Sequence, residues 1–355
     1  MPTVSERPEL DARKRTILKA IVQGYVRSGE PVGSKRIVAE HDLGVSAATV
    51  RSDMVALEEA GLIEQPHTSA GRIPTDHGYR YFVETLAEHA ELTPEQRTAL
   101  EGLLVDSHDV EDLLRRASSV LSRVTRFAAL VATPRLDHSR LRHVELVPLG
   151  AHSVLAVLIA DTGRVEKRML DLADPVAEQE VQRVGHAVNE AAAGVRLDHA
   201  REIIDGVSSG APTELRPLLD RVGEALAADL SQPSPSEYVF VGGTANLAGS
   251  GYFERLEEVS SVYEALEEQV LLLQLLQEAL EAGDPAVRIG EELPLGLDAC
   301  AMVVAGYEAA GDAAGSIGVL GPSRMDYPRT LGAVQAVADS VEKALVELTG
   351  GPSTS

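Results

Sequence analysis

The hydrophobic pattern at the start of the chain predicts three short helices in succession. Apolar residues recur at helical spacing over Asp11–Ser28, which indicates a first helix with one buried face. Gly29 and Pro31 are typical of its end, and Ser34 is placed to cap a short second helix. After a turn, Ser46 is placed to cap a third helix, whose inward positions are Val50, Met54 and Leu57.

The outer face of the third helix is small and polar. Ala47 and Ala48 let a backbone approach a major groove and offer methyl groups to thymine, while Arg51 can donate to guanine O6 and N7. Glycine and proline then bound a hairpin, with strands near 62–65 and 72–74. This order of helices and hairpin is that of a winged helix-turn-helix, so the pattern predicts DNA binding.

Eleven residues are candidates for DNA contact, because they lie on the third helix, at the start of the second or on the hairpin: Ser34, Lys35, Ser46, Ala47, Ala48, Thr49, Arg51, Ser52, Thr68, Ser69 and Arg72. The hairpin members are expected to reach the phosphate backbone or the minor groove. A helix-turn-helix pattern also occurs in many helical proteins, and an exposed arginine is usually only solvated. A domain that contacts proteins alone is therefore the alternative.

Two parts of the chain resemble the HrcA-type heat-inducible transcription repressors. Residues Pro31 to Tyr81 are similar to the DNA-binding domain of that family, and the matching segments are GEPVGSK at 29–35, SAATVRSDM at 46–54, LEEAGLI at 57–63 and PHTSAGRIPTDHGYRYFV at 66–83. The segment GVLGPSRMDY at 318–327 is similar to the family's C-terminal signature, so the resemblance covers essentially the whole chain. Ser52 departs from the family pattern, which usually has asparagine, and leaves the base contact from that position open.

Beyond residue 90 the pattern predicts a mixed α+β region that a helical segment interrupts. Four strand-like runs joined by tight turns are typical of an antiparallel meander packed on helices, at 128–132, 144–147, 154–160 and 165–169. From Pro175 to about Leu230 the apolar period is helical, and strand character returns at 238–242. Further helices are predicted over 259–282 and from about 328 to 348.

The resemblance implies that this region is a GAF-like domain carrying an inserted dimerisation domain. We therefore expect a multidomain α+β protein in four parts: an N-terminal winged helix-turn-helix DNA-binding domain over 1–90, a connector helix over 91–108, a GAF-like α+β domain in two segments over 109–174 and 233–355, and a mostly helical inserted dimerisation domain over 175–232. A small helical insert with many apolar positions has little room for its own core, which favours coverage by a partner.

The charge of the chain is unevenly distributed. The formal net charge is −23, which at first argues against DNA binding. Residues 1–90 contain 11 Lys or Arg and 13 Asp or Glu, a net of −2, and the remainder contains 21 basic and 42 acidic residues, a net of −21. A nearly neutral DNA-binding domain can still present basic side chains on one side, while the acidic remainder repels phosphate and discourages non-specific binding.

The sequence favours a cytoplasmic protein with no membrane contact. No apolar run follows basic residues at the N-terminus, and the longest apolar stretch, Val154–Ala160, has the length of a strand. Cys300 is the only cysteine, which excludes an intrachain disulfide and a cysteine-based zinc site. We interpret Cys300 as a small apolar residue of a buried strand.

No pattern typical of an enzyme is present. We find no nucleophile with a neighbouring base, no carboxylate dyad and no cluster with metal-ligand spacing. The glycine-rich turn at 242–246 lacks the lysine of a P-loop and the spacing of a dinucleotide fingerprint. Gly321–Arg324 is interpreted as a strand-to-helix turn with a structural arginine, an anion site being the alternative. We therefore predict no catalytic residue, cofactor or metal.

With the resemblance included, we expect a homodimeric transcription repressor. Two DNA-binding domains would place the helix that begins after Ser46 in successive major grooves of an inverted repeat in double-stranded DNA. The resemblance implies a CIRCE-type operator upstream of chaperone genes, the chaperonin as a modulator and release on heat stress. The alternative is a regulator gated by a metabolite that the GAF-like domain senses.

Overall fold

The computed structural model describes residues 8–67, 70–86, 90, 92–94, 97–98, 100, 102, 107–134, 139–227, 238–248, 253, 255–283, 285–294, 296–309 and 312–349. Within these residues the chain is a mixed α+β protein. We call residues 8–86 the head, residues 139–227 the insert, and residues 107–134 together with 238–349 the body. Half of the predicted connector helix over 91–108 falls outside the described residues.

The head consists of four helices and a short hairpin. Its elements are α1 (Ala12–Ser28), α2 (Ser34–Glu40), α3 (Ala47–Glu59), β1 (Ile63–Glu64), β2 (Ile73–Pro74) and α4 (Asp76–Thr85). Asp11 accepts a hydrogen bond from the Lys14 amide and so caps α1, which ends where Gly29 adopts a φ of 67°. The predicted third helix and both hairpin strands are confirmed.

The cap of α2 differs from the prediction. Gly33, in an extended conformation, precedes the helix without any side-chain hydrogen bond, and Ser34 is its first residue. Ser34 is only 6% exposed. The prediction that Ser34 caps α2 was therefore wrong, because the serine side chain is packed into the head one position further along.

The body is built on a five-stranded antiparallel sheet. Its elements are α5 (Val110–Thr125), β3 (Ala128–Ala132), β7 (Val239–Gly242), α9 (Ala245–Ala248), α10 (Leu256–Glu267), α11 (Gln269–Ala282), β8 (Ala286–Ile289), β9 (Cys300–Ala309), β10 (Asp312–Pro322) and α12 (Tyr327–Thr349). The strands of the sheet lie in the order β7-β3-β10-β9-β8. Helices α5 and α12 pack together on the sheet, and α11 contacts all five of its strands. Where one helix was predicted over 259–282, the structure has two, since Glu268 leaves the helical conformation at φ −89° and ψ 87°.

The insert has its own sheet and its own hydrophobic core. Its elements are β4 (Leu141–Gly150), β5 (Ser153–Ala160), β6 (Val165–Asp171), α6 (Glu178–Ala192), α7 (Leu197–Gly210) and α8 (Arg216–Ala227). The strands form an antiparallel sheet in the order β4-β5-β6, separate from the sheet of the body.

The buried residues of these strands pack with those of the helices in one core that extends from Leu141 to Leu226. We had expected the strands over 144–169 to belong to the GAF-like domain and the insert to begin at Pro175. The structure corrects this boundary, because their alternating inward side chains cover the apolar faces of the insert helices. The insert is thus α+β and begins near Ser139.

The head packs directly on the body. Arg80 of α4 forms an ion pair with Glu292 and donates a hydrogen bond of 2.7 Å to the Val287 carbonyl of β8. The rings of Tyr79 and Tyr327 lie 5.6 Å apart between their centroids. A single hydrophobic core includes buried residues of both parts. Two of the segments that carry the family resemblance, 66–83 and 318–327, therefore meet at this contact.

Candidate nucleic-acid interface

Helix α3 is held to the head by an apolar face and one ion pair. Val50, Met54 and Leu57 are at most 4% exposed, which confirms their predicted inward orientation. Asp53 lies on the same side and is 7% exposed. Arg13 of α1 donates to both of its carboxylate oxygens, at 2.7 Å and 3.2 Å, so the buried carboxylate is paired.

The opposite face of α3 is open to solvent. Ser46 caps the helix by accepting a hydrogen bond of 3.2 Å from the Thr49 amide. Ala48, Arg51 and Ser52 are exposed, while Ala47 and Thr49 are partly exposed. The structure thus brings the predicted helix residues together on one accessible surface that begins at a capped helix end.

A groove separates this surface from the hairpin. Its volume is about 530 Å³, and Lys35, Arg51, Gln65, Ala70 and Arg72 are among the residues that line it. Within the described part of the chain, no ion pair is found for Lys35 or Arg51, so their charges face the groove and the solvent. Small side chains next to the basic Lys35 and Arg51 suit contact with base edges in a major groove and with the phosphates beside it.

The hairpin is braced against the helices by the arginine we had predicted to contact DNA. Two nitrogens of Arg72 donate to one Glu58 oxygen, at 3.1 Å and 2.8 Å, and the Arg72 side chain is 15% exposed. The backbones of Arg72 and Val32 exchange two hydrogen bonds of 2.9 Å. The Arg72 guanidinium thus fixes the hairpin to α3, and its contact with DNA stays a prediction.

Two other candidates have different outcomes. Ser34 lines the groove but is almost fully buried, so the structure does not support an exposed hydroxyl contact from it. Thr68 and Ser69 fall outside the described residues. Next to them, the Gln65 side chain donates 3.0 Å to the Ala70 carbonyl and closes the hairpin.

The described residues offer little to other kinds of chemistry. Among them, no group of three or more His, Cys, Asp or Glu side chains is arranged to hold a metal ion. Cys300 lies buried at the start of β9, as interpreted from the sequence, and burial raises the pKa of its thiol to about 12. No described helix is long and apolar enough to cross a bilayer.

Comparison with known proteins decides the family. The family model described as "HrcA protein C terminal domain" matches residues 111–331. A relative from Frankia casuarinae, named heat-inducible transcription repressor HrcA, is 45% identical over 337 residues, covering 95% of this chain and 99% of the relative. The chain belongs to the HrcA family. A relative of the same name from Kineococcus radiotolerans is 46% identical over 350 residues and also covers 95% of this chain.

A solved structure shows the same fold as this HrcA-family chain. A crystal structure described as that of a hypothetical protein aligns with a TM-score of 0.58 at 22% identity, covering 96% of this chain and all of that one. At this level of identity the likeness concerns the fold alone.

Sequence reasoning missed the two ion pairs that position α3 and the hairpin in this HrcA-family chain. Asp53 follows Val50 by three residues and so lies on the inward face of the predicted helix, which was a usable signal of a buried, paired carboxylate. Glu58 and Arg72 are 14 residues apart on different elements. No local pattern indicates their contact, because it arises only when the hairpin folds back on α3.

Proposed function

We propose that this HrcA-family chain represses transcription by binding double-stranded DNA through a winged helix-turn-helix in its head. Helix α3 is the recognition helix in this proposal, and the β1–β2 hairpin is the wing. The observation that carries it is the exposed face of Ala48, Arg51 and Ser52, which lies next to a groove that Lys35 lines. A helix face of this size and polarity fits a major groove.

The charge distribution supports specific rather than general DNA binding. Residues 1–90 carry a net charge of −2, whereas the remainder of the chain carries −21. Repulsion of phosphate by the insert and body leaves the α3 face as the region where DNA can approach.

The outer face of the insert sheet supports a homodimer. Val147, Val165 and Met169 are 37%, 50% and 55% exposed, and the register aligns Val147 with Leu155 and Leu155 with Met169. These apolar side chains form a band across three strands on the face opposite the insert core. An exposed apolar band of this kind favours a partner.

The polar residues on this face favour a second copy of the chain as that partner. Glu145 and Lys167 flank Val157 on the two outer strands, so an acid and a base lie on opposite sides of the apolar band. A two-fold axis can place each charge opposite its complement. A dimer of this kind presents two copies of α3 and so requires an inverted repeat.

Within the same proposal, the operator is a CIRCE-type inverted repeat upstream of chaperone genes, and heat releases the repressor. A marginally stable repressor loses folded dimer on modest heating, and a chaperonin that recovers folded chains then sets the amount of active repressor. Purified chain should accordingly bind operator better in the presence of chaperonin, and indifference to chaperonin would count against this part.

The DNA-binding proposal is tested by footprinting the full chain on DNA upstream of the host's own chaperonin genes. We expect two protected half-sites one helical turn, or a multiple of it, apart. Arg51→Ala should lower operator affinity by about 1–3 kcal/mol, or roughly 5- to 150-fold. Arg183→Ala, which removes an exposed arginine of α6, is the matched control and should bind as wild type. Equal affinity for operator and scrambled duplex at moderate salt would refute specific binding.

The dimer is tested by sedimentation of two lysine variants. Met169→Lys places a charge in the apolar band and should shift the chain toward monomer. Leu256→Lys changes a leucine that is 82% exposed on α10, outside the band, and should leave the dimer intact. A monomeric wild-type chain, or equal behaviour of the two variants, would contradict the proposed interface.

A further inference from the structure

The insert and the body do not share a hydrophobic core. The buried apolar residues of the insert form one cluster, from Leu141 to Leu226, and those of the body belong to another. The chain crosses between the two parts twice, once between residues 134 and 139 and once between residues 227 and 238. Domains joined in this way are expected to move relative to one another unless further contacts fix the angle between them.

The turn between β5 and β6 makes such contacts with the body. A Cβ atom at Gly163 would lie 2.9 Å from a Val110 methyl carbon at the start of α5 and 3.1 Å from the Thr349 methyl carbon at the end of α12. The φ of Gly163 is 80°, so both its conformation and the space around it favour glycine. Arg142, on the neighbouring strand β4, donates 2.9 Å to the Thr349 carbonyl. The turn is therefore seated between the two helices that pack on the body sheet.

Arg164, the last residue of this turn, bonds to both parts of the molecule. Its Nε donates 2.8 Å to a Glu166 oxygen in the insert, and one of its terminal nitrogens donates 2.6 Å to the Pro134 carbonyl in the body. Arg164 is 8% exposed and Glu166 is 4% exposed. Pro134 is the last described residue before the insert, so the guanidinium holds the end of this body segment against the insert sheet.

The gain from this buried ion pair is better explained by geometry than by stability. Removing two charges from water costs about as much free energy as their attraction returns, and apolar residues of similar volume are often as stable. A cavity of about 200 Å³ beside the pair is lined by residues of the insert and of the body, so apolar packing does not fill this junction. A planar guanidinium that donates to two acceptors on different parts restricts the angle between those parts.

We propose that Arg164 is a positioning residue that sets the angle between insert and body, and thereby the half-site spacing that the repressor accepts. This inference rests on the proposed function, because it requires α3 to bind DNA and the insert sheets to form the dimer. In such a dimer the two-fold axis lies at the inserts and the heads lie on the bodies. A rotation at the junction therefore changes the separation of the two α3 helices. One added base pair moves a half-site by about 3.4 Å and turns it by about 34°, so a rigid junction accepts one spacing.

The DNA test varies the spacer between the half-sites. The full chain is titrated with operator duplexes of natural spacing and with one or two base pairs added or removed. Wild type should lose about tenfold or more in affinity when the spacer changes, because a rigid dimer must deform the DNA to reach both half-sites. The double variant Arg164→Met, Glu166→Gln removes the pair without leaving a buried charge and should lose less than about threefold. Both proteins should bind a single half-site equally, since α3 and the hairpin are unchanged.

Two further variants make this test specific. Arg221→Met, Glu224→Gln removes an ion pair of 2.6 Å that lies within α8 of the insert, and this matched control should keep the wild-type spacer preference. Arg164→Lys keeps the charge but lacks the planar fork, and should give a preference between those of wild type and the double variant. Sedimentation and denaturant titration of each variant verify that it remains a folded dimer.

A distance measurement without DNA tests the junction itself. Spin labels are attached through Glu190→Cys on α6, whose side chain is 78% exposed, and Gln274→Cys on α11, which is also exposed. Cys300 is buried and is not expected to react with the label. With labelled chains diluted in unlabelled ones, we expect one narrow distance in wild type and in the control, and a broader distribution in Arg164→Met, Glu166→Gln.

The outcomes separate this inference from the function on which it rests. Equal affinity of wild type for all spacers, a wild-type spacer preference in Arg164→Met, Glu166→Gln, or an unchanged distance distribution in that variant would each overturn the role of Arg164. A wild-type chain that binds no operator would instead refute the proposed function. The label distances would then decide alone whether Arg164 fixes the junction.

Discussion

The ion pair between Arg72 and Glu58 is predicted to hold the hairpin against α3, and the free energy that this pair contributes can be measured. Both donated bonds end on one carboxylate oxygen, and the two side chains are 15% and 34% exposed. Solvent therefore screens the pair only in part. We expect a coupling energy of about 1–2 kcal/mol, between the values typical of surface and of buried pairs.

The assay is a double-mutant cycle of Arg72→Ala, Glu58→Ala and the double variant, read by hydrogen exchange at the Val32 amide. This amide donates 2.9 Å to the Arg72 carbonyl and is remote in sequence from both substitutions. Each single variant should speed its exchange by about 5- to 30-fold, which is the predicted coupling energy expressed as a ratio. The double variant should exchange little faster than either single one, because both substitutions break the same contact.

The DNA affinity of the same three variants separates a brace from a direct contact. If Arg72 only braces the hairpin, both single variants lose similar affinity, and the second substitution adds nothing to the first. If Arg72 contacts DNA, Arg72→Ala alone loses affinity, while Glu58→Ala keeps or gains it by removing a negative charge. The latter pattern, with unchanged exchange at Val32, would refute the brace.

Three further predictions concern stability. Asp53→Asn removes the carboxylate that pairs with Arg13 of α1 and should lower the free energy of unfolding by about 1–2 kcal/mol in denaturant titrations. The expected loss is small for a buried carboxylate because the Arg13 side chain is 43% exposed. An unchanged denaturation midpoint would contradict this prediction. Gly78→Ala should cost about 3 kcal/mol or more, since its Cβ would lie 1.9 Å from the Leu62 carbonyl oxygen, whereas Gly206→Ala meets no atom within 4 Å and should be neutral or stabilising in the same assay. Asp76→Asn should raise the denaturation midpoint at neutral pH, because burial raises the pKa of Asp76 and disfavours its ionised form. That gain should vanish as the pH falls through the raised pKa and the wild-type carboxyl becomes neutral; a gain that persists at about pH 4 would argue against this cause.

Local features of the head could be predicted because their causes are local. Ser46 caps α3 by accepting a hydrogen bond from the amide of Thr49, only three residues later in the chain. The spacing of Val50, Met54 and Leu57 alone determines which face of the helix is buried. Ser34 shows the limit of this reasoning. A serine before an apolar run is a usual capping residue, but Gly33 occupies that position and the serine is buried against neighbours that its own segment does not reveal.

The boundary of the insert was not readable from periodicity. Strands β4 and β6 alternate apolar and polar residues, as any half-buried strand does. This pattern does not show which helices or which sheet the apolar side packs against. Only the pairing of β4 and β6 with β5 and their packing under α6 and α8 assign them to the insert. The interruption of the helix at Glu268 was also not predicted, because no glycine or proline lies at that position.

By itself the sequence determined the family, the order of the helices and hairpin in the head, and the exposed α3 face, because short-range spacing and matching segments carry that information. The tertiary structure alone decided that Arg72 pairs with Glu58, that the insert has its own sheet, and that the head packs on the body through Tyr79 and Tyr327. These features depend on contacts between elements that are distant in the chain. Such contacts cannot be predicted from the hydrophobic pattern of either segment alone.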